Sequence, residues 1–260
     1  MKYILDVDAS KVIEAVRSTG VTITPAMMHY AHYLISNMKA IGTWQNSLAV
    51  YGFVGGTADA HKFNWKNPID TDGAFRLTFP NGMAHTLNGI QGNGTNQYAN
   101  TFLTPSTSLT LNNTHLSIYS RTNSDGVFCD IGGGDENASI GSMTIYIKIS
   151  SQIYTYSYDF TNSGNIITTN TNSSGYYISN RNSQSNFKLF KNGTEIGIKT
   201  TTRGSLPTFS LTIGAYNTPS IVQYSPRQYS FSSIGAGLTD TQAIQQSQIV
   251  TNAQAILNRL

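Results

Sequence analysis

The sequence predicts a mainly β protein: an antiparallel sandwich of jelly-roll type, with a helical segment before it and one helix after it. Three observations carry this expectation. Short runs that alternate apolar and polar residues recur between residues 71 and 237, separated by turn residues. The stretch NFKLFKNGTEIG at 186–197 sets Asn192-Gly193 between two alternating runs. Asn-Gly favours the type I′ turn of a two-residue hairpin, because both central residues take φ > 0. Charged residues make up only 11% of the chain, against about 25% in ordinary domains. Polarity is carried instead by Asn, Ser, Thr, Gln and Gly, which favour turns and strand faces over long helices.

Along the chain, residues 1–70 read as a helical segment. Ser10–Ser18 forms a short helix with Gly20 past its end. Thr24-Pro25 supplies an N-cap followed by Pro at the first helical position. Met27, Met28, Ala31, Leu34, Ile35 and Met38 then recur at helical spacing up to Gly42, which suits core packing. YGFVGGTADAHKFNWKNP reads as a Gly-punctuated linker. Residues 71–237 hold the strands AFRLTF, THLSIYSR, GVFCDI, MTIYIKI, FKLFK, EIGIK and FSLTIGA. In the hairpin, Lys191 is expected to face Thr194, Leu189 to face Ile196, and Phe187 to face Ile198, leaving Lys188, Phe190 and Glu195 on a mostly polar face. Residues 238–260 form a helix capped by Thr239 or Asp240. Its seam of Ala243, Val250 and Leu257, with Ala253 and Ile256 beside it, suits packing on the N-terminal helices or on another subunit.

The 260 residues contain 15 Tyr and 11 Phe, enough for a sizeable core and far from a disordered composition. The net charge of +3 is scattered, with no Lys/Arg run, so no nucleic-acid role is expected. No run approaches the ~20 apolar residues of a membrane span, and Asp6 and Asp8 interrupt any signal-peptide core. The single cysteine, Cys129, cannot pair within the chain and reads as a small buried hydrophobe.

The block FKLFKNGTEIG, then SLTIGAYN, then YSFSSIGAGLTDTQ, resembles the closing half of concanavalin A-like, laminin-G-like jelly rolls. There too a strand leads to an Asn-Gly hairpin, a strand ends in Ile-Gly, and the last strand runs into a helix start. The runs GFVGGTADAHKFNWKNPIDTDGAFRLTF and GNGTNQYANTFLTPSTSLTLNNTHLSIYSRTNS resemble virion structural proteins of tailed bacteriophages. The resemblance covers about residues 20–258. It implies a concanavalin A-like jelly roll over 71–237, with 1–70 as a helical virion anchor. It further implies a non-enzymatic surface protein of the particle, in a head or tail fibre or decorating the capsid, made in the host bacterial cytoplasm. Its partners would be other virion proteins and bacterial or mucosal polysaccharide. The low charge and the seam of the final helix suggest a homo-oligomer. The alternatives are a purely structural component whose sheet face packs on neighbours, and a polysaccharide depolymerase.

The sequence carries few arrangements suited to catalysis. Retaining glycosidases need two carboxylates ~5–5.5 Å apart. Here the only adjacent acidic pair is Asp135-Glu136, in a glycine loop, and Asp125 and Asp130 differ in strand parity. GGTADAHK lacks the second glycine of a phosphate loop. His29 and His32 have metal-compatible spacing but no third ligand nearby. No cofactor or metal site is expected, although Asp70 and Asp72 in PIDTDG and the plentiful oxygen side chains admit a structural calcium ion. The strand faces offer a binding site instead. In THLSIYSR, His115, Tyr119 and Arg121 share one face; in MTIYIKI, Tyr146 and Lys148 face away from Met143, Ile145 and Ile147. On one concave sheet these five side chains would make an aromatic, hydrogen-bonding patch for sugar.

Overall fold

Asp6 starts the first helix, because its carboxylate accepts from the otherwise unpaired amides of Asp8 and Ala9. Residues 5–136, 140–160, 164–200 and 204–260 are described by the computed structural model. Helix α1 (Val7–Ser18) therefore begins three residues before the expected Ser10. Helix α2 (Pro25–Ala40) is capped by Thr24, whose hydroxyl accepts from Met27 N at 3.2 Å. One-turn helices α3 (Thr43–Asn46), α4 (Ala58–His61) and α5 (Pro105–Ser108) interrupt the strands. The closing helix is α6 (Asp240–Ile256). The strands are β1 (Ser47–Tyr51), β2 (Ala84–Thr86), β3 (Gly89–Gln91), β4 (Ala99–Asn100), β5 (Thr114–Ser120), β6 (Ile131–Gly133), β7 (Met143–Ile149) and β8 (Gln152–Ser157). They continue with β9 (Asn165–Thr169), β10 (Gly175–Ser183), β11 (Asn186–Lys191), β12 (Thr194–Lys199), β13 (Thr212–Ile213), β14 (Tyr216–Asn217), β15 (Ile221–Val222) and β16 (Gln228–Gly235).

Two sheets face each other. The first runs β12-β11-β10-β5-β16-β3-β2, with β1 also paired to β16; the second runs β15-β14-β6-β7-β8-β9, with β13 joining β6 to β4. Among the described residues pairing is antiparallel apart from a single parallel bridge between β14 and β6. Between the sheets lie Leu116, Ile118, Ile145, Ile147, Tyr177 and Leu189. This is the mainly β sandwich the alternating runs predict.

A second core lies outside the first sheet. Tyr119, Tyr176, Ile178, Phe190 and Phe231 point from its outer face into α1, α2 and α6, against Val12, Leu34, Met38 and Val250. The last helix thus packs on α2 and on the sheet, the first of the two partners its seam allowed. Its start is held by a reciprocal capping box between Thr239 and Gln242. Thr239→Ala is expected to lower stability by about 1 kcal/mol in urea denaturation; an unchanged midpoint would show that packing alone holds the helix.

Several expectations are corrected. The boundary at residue 70 does not separate helices from sandwich, since β1 lies before it and pairs with β16. The supposed linker is core: Phe53, Val54, His61, Phe63, Asn64 and Trp65 are buried. Gly52 makes this close approach feasible, because a Cβ there would collide with the Trp65 ring. AFRLTF is not a strand; a 3-10 turn at Asp72–Ala74 and a left-handed Phe75 break it, leaving one bridge from Thr78 to Asn100. GVFCDI contributes only its last residue to β6, and FSLTIGA only Thr212–Ile213.

The hairpin turn is as expected, with φ of +50° at Asn192 and +82° at Gly193 and Lys191 opposite Thr194. Beyond Phe190 the register slips, so Leu189 faces Gly197 and Phe187 faces Lys199, instead of Ile196 and Ile198. Phe190 is not on a polar face but buried under the helices, while Leu189 lies between the sheets.

Candidate functional site

Of the five expected site residues, none forms a common patch with all the others, because β5 and β7 belong to different sheets. His115 is fully buried beneath α6; its Nδ1 donates to Ala236 O at 2.6 Å and its Nε2 meets Ser233 Oγ at 3.0 Å. Burial pushes its pKa down to about 4. Arg121 Nε and Nη1 donate to Arg259 O and Gln228 Oε1. Tyr146 packs with Cys129 and Tyr216 on the outer face of the second sheet and donates to Gln223 Oε1 at 2.6 Å. Cys129 is the inert hydrophobe expected, its thiol pKa raised by burial. Lys148 Nζ reaches Asn123 Oδ1 and Thr171 O.

Tyr119 is placed differently. Its ring stacks on Tyr176 across the β5–β10 pair, centroids 6.2 Å apart and planes 21° apart. Its edge lines a groove of about 500 Å³ between the hairpin tip and α6. One wall is Ser174, Gly175 and the turn Asn192–Thr194; the other is Ile244, Ser247, Gln248, Thr251 and Asn252. Burial raises the Tyr119 hydroxyl pKa, and the charge of Arg121 works against the rise.

The groove follows from the turn chemistry. Asn192 N donates to Tyr176 O at 2.8 Å, and Asn192 Oδ1 accepts from Tyr176 N at 2.8 Å, clamping the turn to the start of β10. Gly175 permits the clamp: its φ is +127° and a Cβ there would stand 2.7 Å from Asn192 Oδ1. On the far wall α6 is fixed by Gln246 Nε2, which donates to Tyr176 Oη at 2.9 Å, and by Asn252 Nδ2, which donates to Tyr33 Oη at 3.2 Å. Gln248 and Asn252 are exposed. The result is a concave polar surface with amide donors and acceptors, hydroxyls and one aromatic edge, which can exchange hydrogen bonds with a polyhydroxylated ligand. Nothing in the sequence marks it, because its walls lie on β5, the β10–β12 hairpin and α6 and meet only in the folded chain. The Asn-Gly turn, Tyr119 and the helix over 238–260 were each legible singly, but not their meeting.

The remaining metal candidates are engaged with groups of the chain itself. Asp70 is paired with Lys62 at 2.7 Å and with Arg76 at 2.8 Å, and Asp72 with Arg76 at 2.8 Å, so the PIDTDG carboxylates face cations of the chain itself. His32 Nδ1 accepts from Asp6 N, and His29 packs edge-on to Tyr33. Among the described residues no three His, Cys, Asp or Glu side chains gather as metal ligands, and no helix is long and apolar enough to cross a membrane.

No protein-family model matches the sequence, and no curated protein matches it. Solved structures do. The chain is similar to domain 4 of AbnA, a GH43 extracellular arabinanase from Geobacillus stearothermophilus, solved in complex with arabinotriose. The TM-score is 0.54 at 12% identity, over 78% of this chain and 98% of that one. It is also similar to the binding domain of botulinum neurotoxin serotype D, with a TM-score of 0.53 at 9% identity, over 79% of this chain and 52% of that one. At such identities the likeness is one of fold: the chain is a two-sheet β-sandwich of the architecture these two domains share.

Proposed function

We propose that this chain is a non-enzymatic glycan-binding protein on the surface of a tailed-phage virion, and that the groove between the hairpin tip and α6 holds the sugar. The groove itself carries the reading: it is concave, uncharged and rich in amides and hydroxyls, with Tyr119 at its base. The fold shared with a domain crystallised with arabinotriose supports it. Among the described residues no carboxylate lines the groove, whereas two-carboxylate hydrolysis needs a pair, which supports binding over cleavage. The virion placement rests on the resemblance of the upstream runs to phage structural proteins. Repeated copies on a particle would turn weak single sites into firm attachment.

The test is a Gln248→Ala, Asn252→Ala double variant. Binding to host-surface polysaccharide is expected to fall about tenfold, equivalent to about 1.4 kcal/mol. Thermal stability should fall only slightly, by no more than about 1 kcal/mol, because the one hydrogen bond lost, Asn252 Nδ2 to Tyr33 Oη, is solvent-exposed. Unchanged binding would remove the groove from the reading. Gold-labelled antibody on intact particles tests the virion placement; label absent from particles while the protein is abundant in lysate would refute it.

One observation favours a structural role for the helical layer beside this. Leu5, Pro25, Ala26, Met28, His29 and Ile256 line an apolar hollow of about 630 Å³ on the side of α2 and the end of α6. An anchoring contact with another virion protein suits that chemistry. Met28→Asp should then reduce incorporation into particles while leaving polysaccharide binding by the isolated protein intact.

A further inference from the structure

We infer that the hairpin–helix groove selects uncharged saccharides and rejects acidic ones, although the chain as a whole is basic. This rests on the reading that the groove binds glycan. The net charge of +3 and pI near 8.9 by themselves favour acidic polymers through general attraction. The groove contradicts that preference, since among the described residues no Asp, Glu, Lys, Arg or His side chain lines it.

The charges around it are engaged elsewhere. Lys188 is held by Glu195 at 2.8 Å and by Asp240 at 2.6 Å. Lys191, next to the turn, donates to Asn170 Oδ1 and Asn172 O and lies over the Tyr177 ring. Arg121, two residues from Tyr119 on the same strand face, is bonded to Gln228 Oε1 and Arg259 O. A sugar carboxylate entering here would exchange water for donors without charge, and would lack the charge-assisted bonds that offset its desolvation.

An uncharged sugar fits better. Each hydroxyl both donates and accepts, and so do the amides of Gln248 and Asn252 and the hydroxyls of Thr194 and Thr251. The apolar part is present as well: Ile244, 46% exposed, stands on the helix wall and Tyr119 lies on the floor, so a C–H face of a sugar ring has surface to cover. Specificity of this kind is a difference of affinities, with the uncompensated carboxylate as the repulsive element.

The experiment measures dissociation constants of the full chain for neutral polymers (mannan, dextran, arabinan) and acidic ones (alginate, polygalacturonate) at physiological ionic strength. At least one neutral polymer is expected to bind about tenfold or more tighter than either acidic one. Gln248→Lys and Ile244→Lys, both at exposed helix positions, should each narrow or reverse that ratio by placing a cation in the groove. Acidic polymer bound as tightly as neutral, and weakened by the Gln248→Ala, Asn252→Ala variant, would overturn the selectivity while leaving the glycan reading standing. Binding to no polymer, or binding indifferent to every groove variant, would overturn the glycan reading and the selectivity with it.

Discussion

Asp130→Ala is expected to cost the fold about 3–5 kcal/mol, because it strands a buried cation. Asp130 and Arg227 both have side chains with no exposure, and Nη1 of the arginine lies 3.0 and 2.9 Å from the two carboxylate oxygens. The same carboxylate accepts from Ile147 N at 2.8 Å and from Tyr229 Oη at 2.6 Å. The other guanidinium nitrogen, Nη2, donates to Ser124 O and Lys148 O. The network ties the segment before β6, strand β7 and the start of β16 together, so it links the two sheets. Removing the carboxylate leaves Arg227 charged and desolvated, and the remaining carbonyls cannot replace a full negative charge. The loss is a large fraction of the total stability of a typical domain, and the melting temperature should fall by about 10 °C. Asp130→Leu combined with Arg227→Met removes both charges and should recover most of the loss. A single variant as stable as the parent, or a double variant worse than the single, would show that the ion pair is not what holds this region.

Acidification is expected to destabilise the protein between about pH 6.5 and 4, where free histidine gains its proton and the buried histidines do not. His115 is the clearest case, with its pKa pushed down to about 4 by burial. The His61–His85 pair adds to it. Gly56 N donates to His61 Nε2 at 3.1 Å, so His61 Nδ1 carries the proton and is left to donate to His85 Nδ1, also at 3.1 Å. Burial, then the nearby charges of His85 and Arg259, hold His61 well below the ordinary value; burial lowers His85 too. In this window the unfolded chain binds protons that the folded chain refuses, so stability is full above pH 6.5 and falls as pH falls. At pH 5, His115 alone accounts for about 2 kcal/mol. The carboxylates whose pKa is lowered by ion pairing, Asp6, Asp8 and Asp70, begin to lose their contribution only as pH falls through the ordinary carboxylate range, at about 4. They do not explain a loss at pH 5. Urea midpoints measured from pH 7.5 to 4.5 test this, with His115→Gln expected to flatten the slope. A flat profile in the parent would refute the buried-neutral reading of these rings.

Much of the local architecture was legible. Thr24-Pro25, Asn192-Gly193 and Thr239 each act within a few residues of themselves, through a cap or a turn, and each stands where the sequence put it. Strands β5, β7, β11 and β12 also match, because alternation is a property of consecutive residues. Strand β10, the longest in the first sheet, is not legible in this way. Its run GYYISNRNS turns polar halfway, where Asn180 bonds Leu238 O and Arg181 bonds Ser157 Oγ inside the fold.

What the sequence determined by itself is the class of fold, its turns and its helix ends. Only the tertiary structure decided which faces meet water. The outer face of β5 carries His115 and Ser117, polar residues that read as solvent-facing, and α6 carries Gln246, which reads the same way. In the folded chain they satisfy one another: Ser117 Oγ meets Ser233 Oγ at 2.6 Å, His115 Nε2 meets the same hydroxyl, and Gln246 Nε2 reaches it at 3.3 Å. The helix therefore covers a sheet face that looks exposed, and the candidate groove moves from that face to its rim at Tyr119. A cap or turn is written in neighbouring residues, but a buried polar face requires a partner that, for His115, lies 118 residues away, and the pattern of one strand carries no record of it.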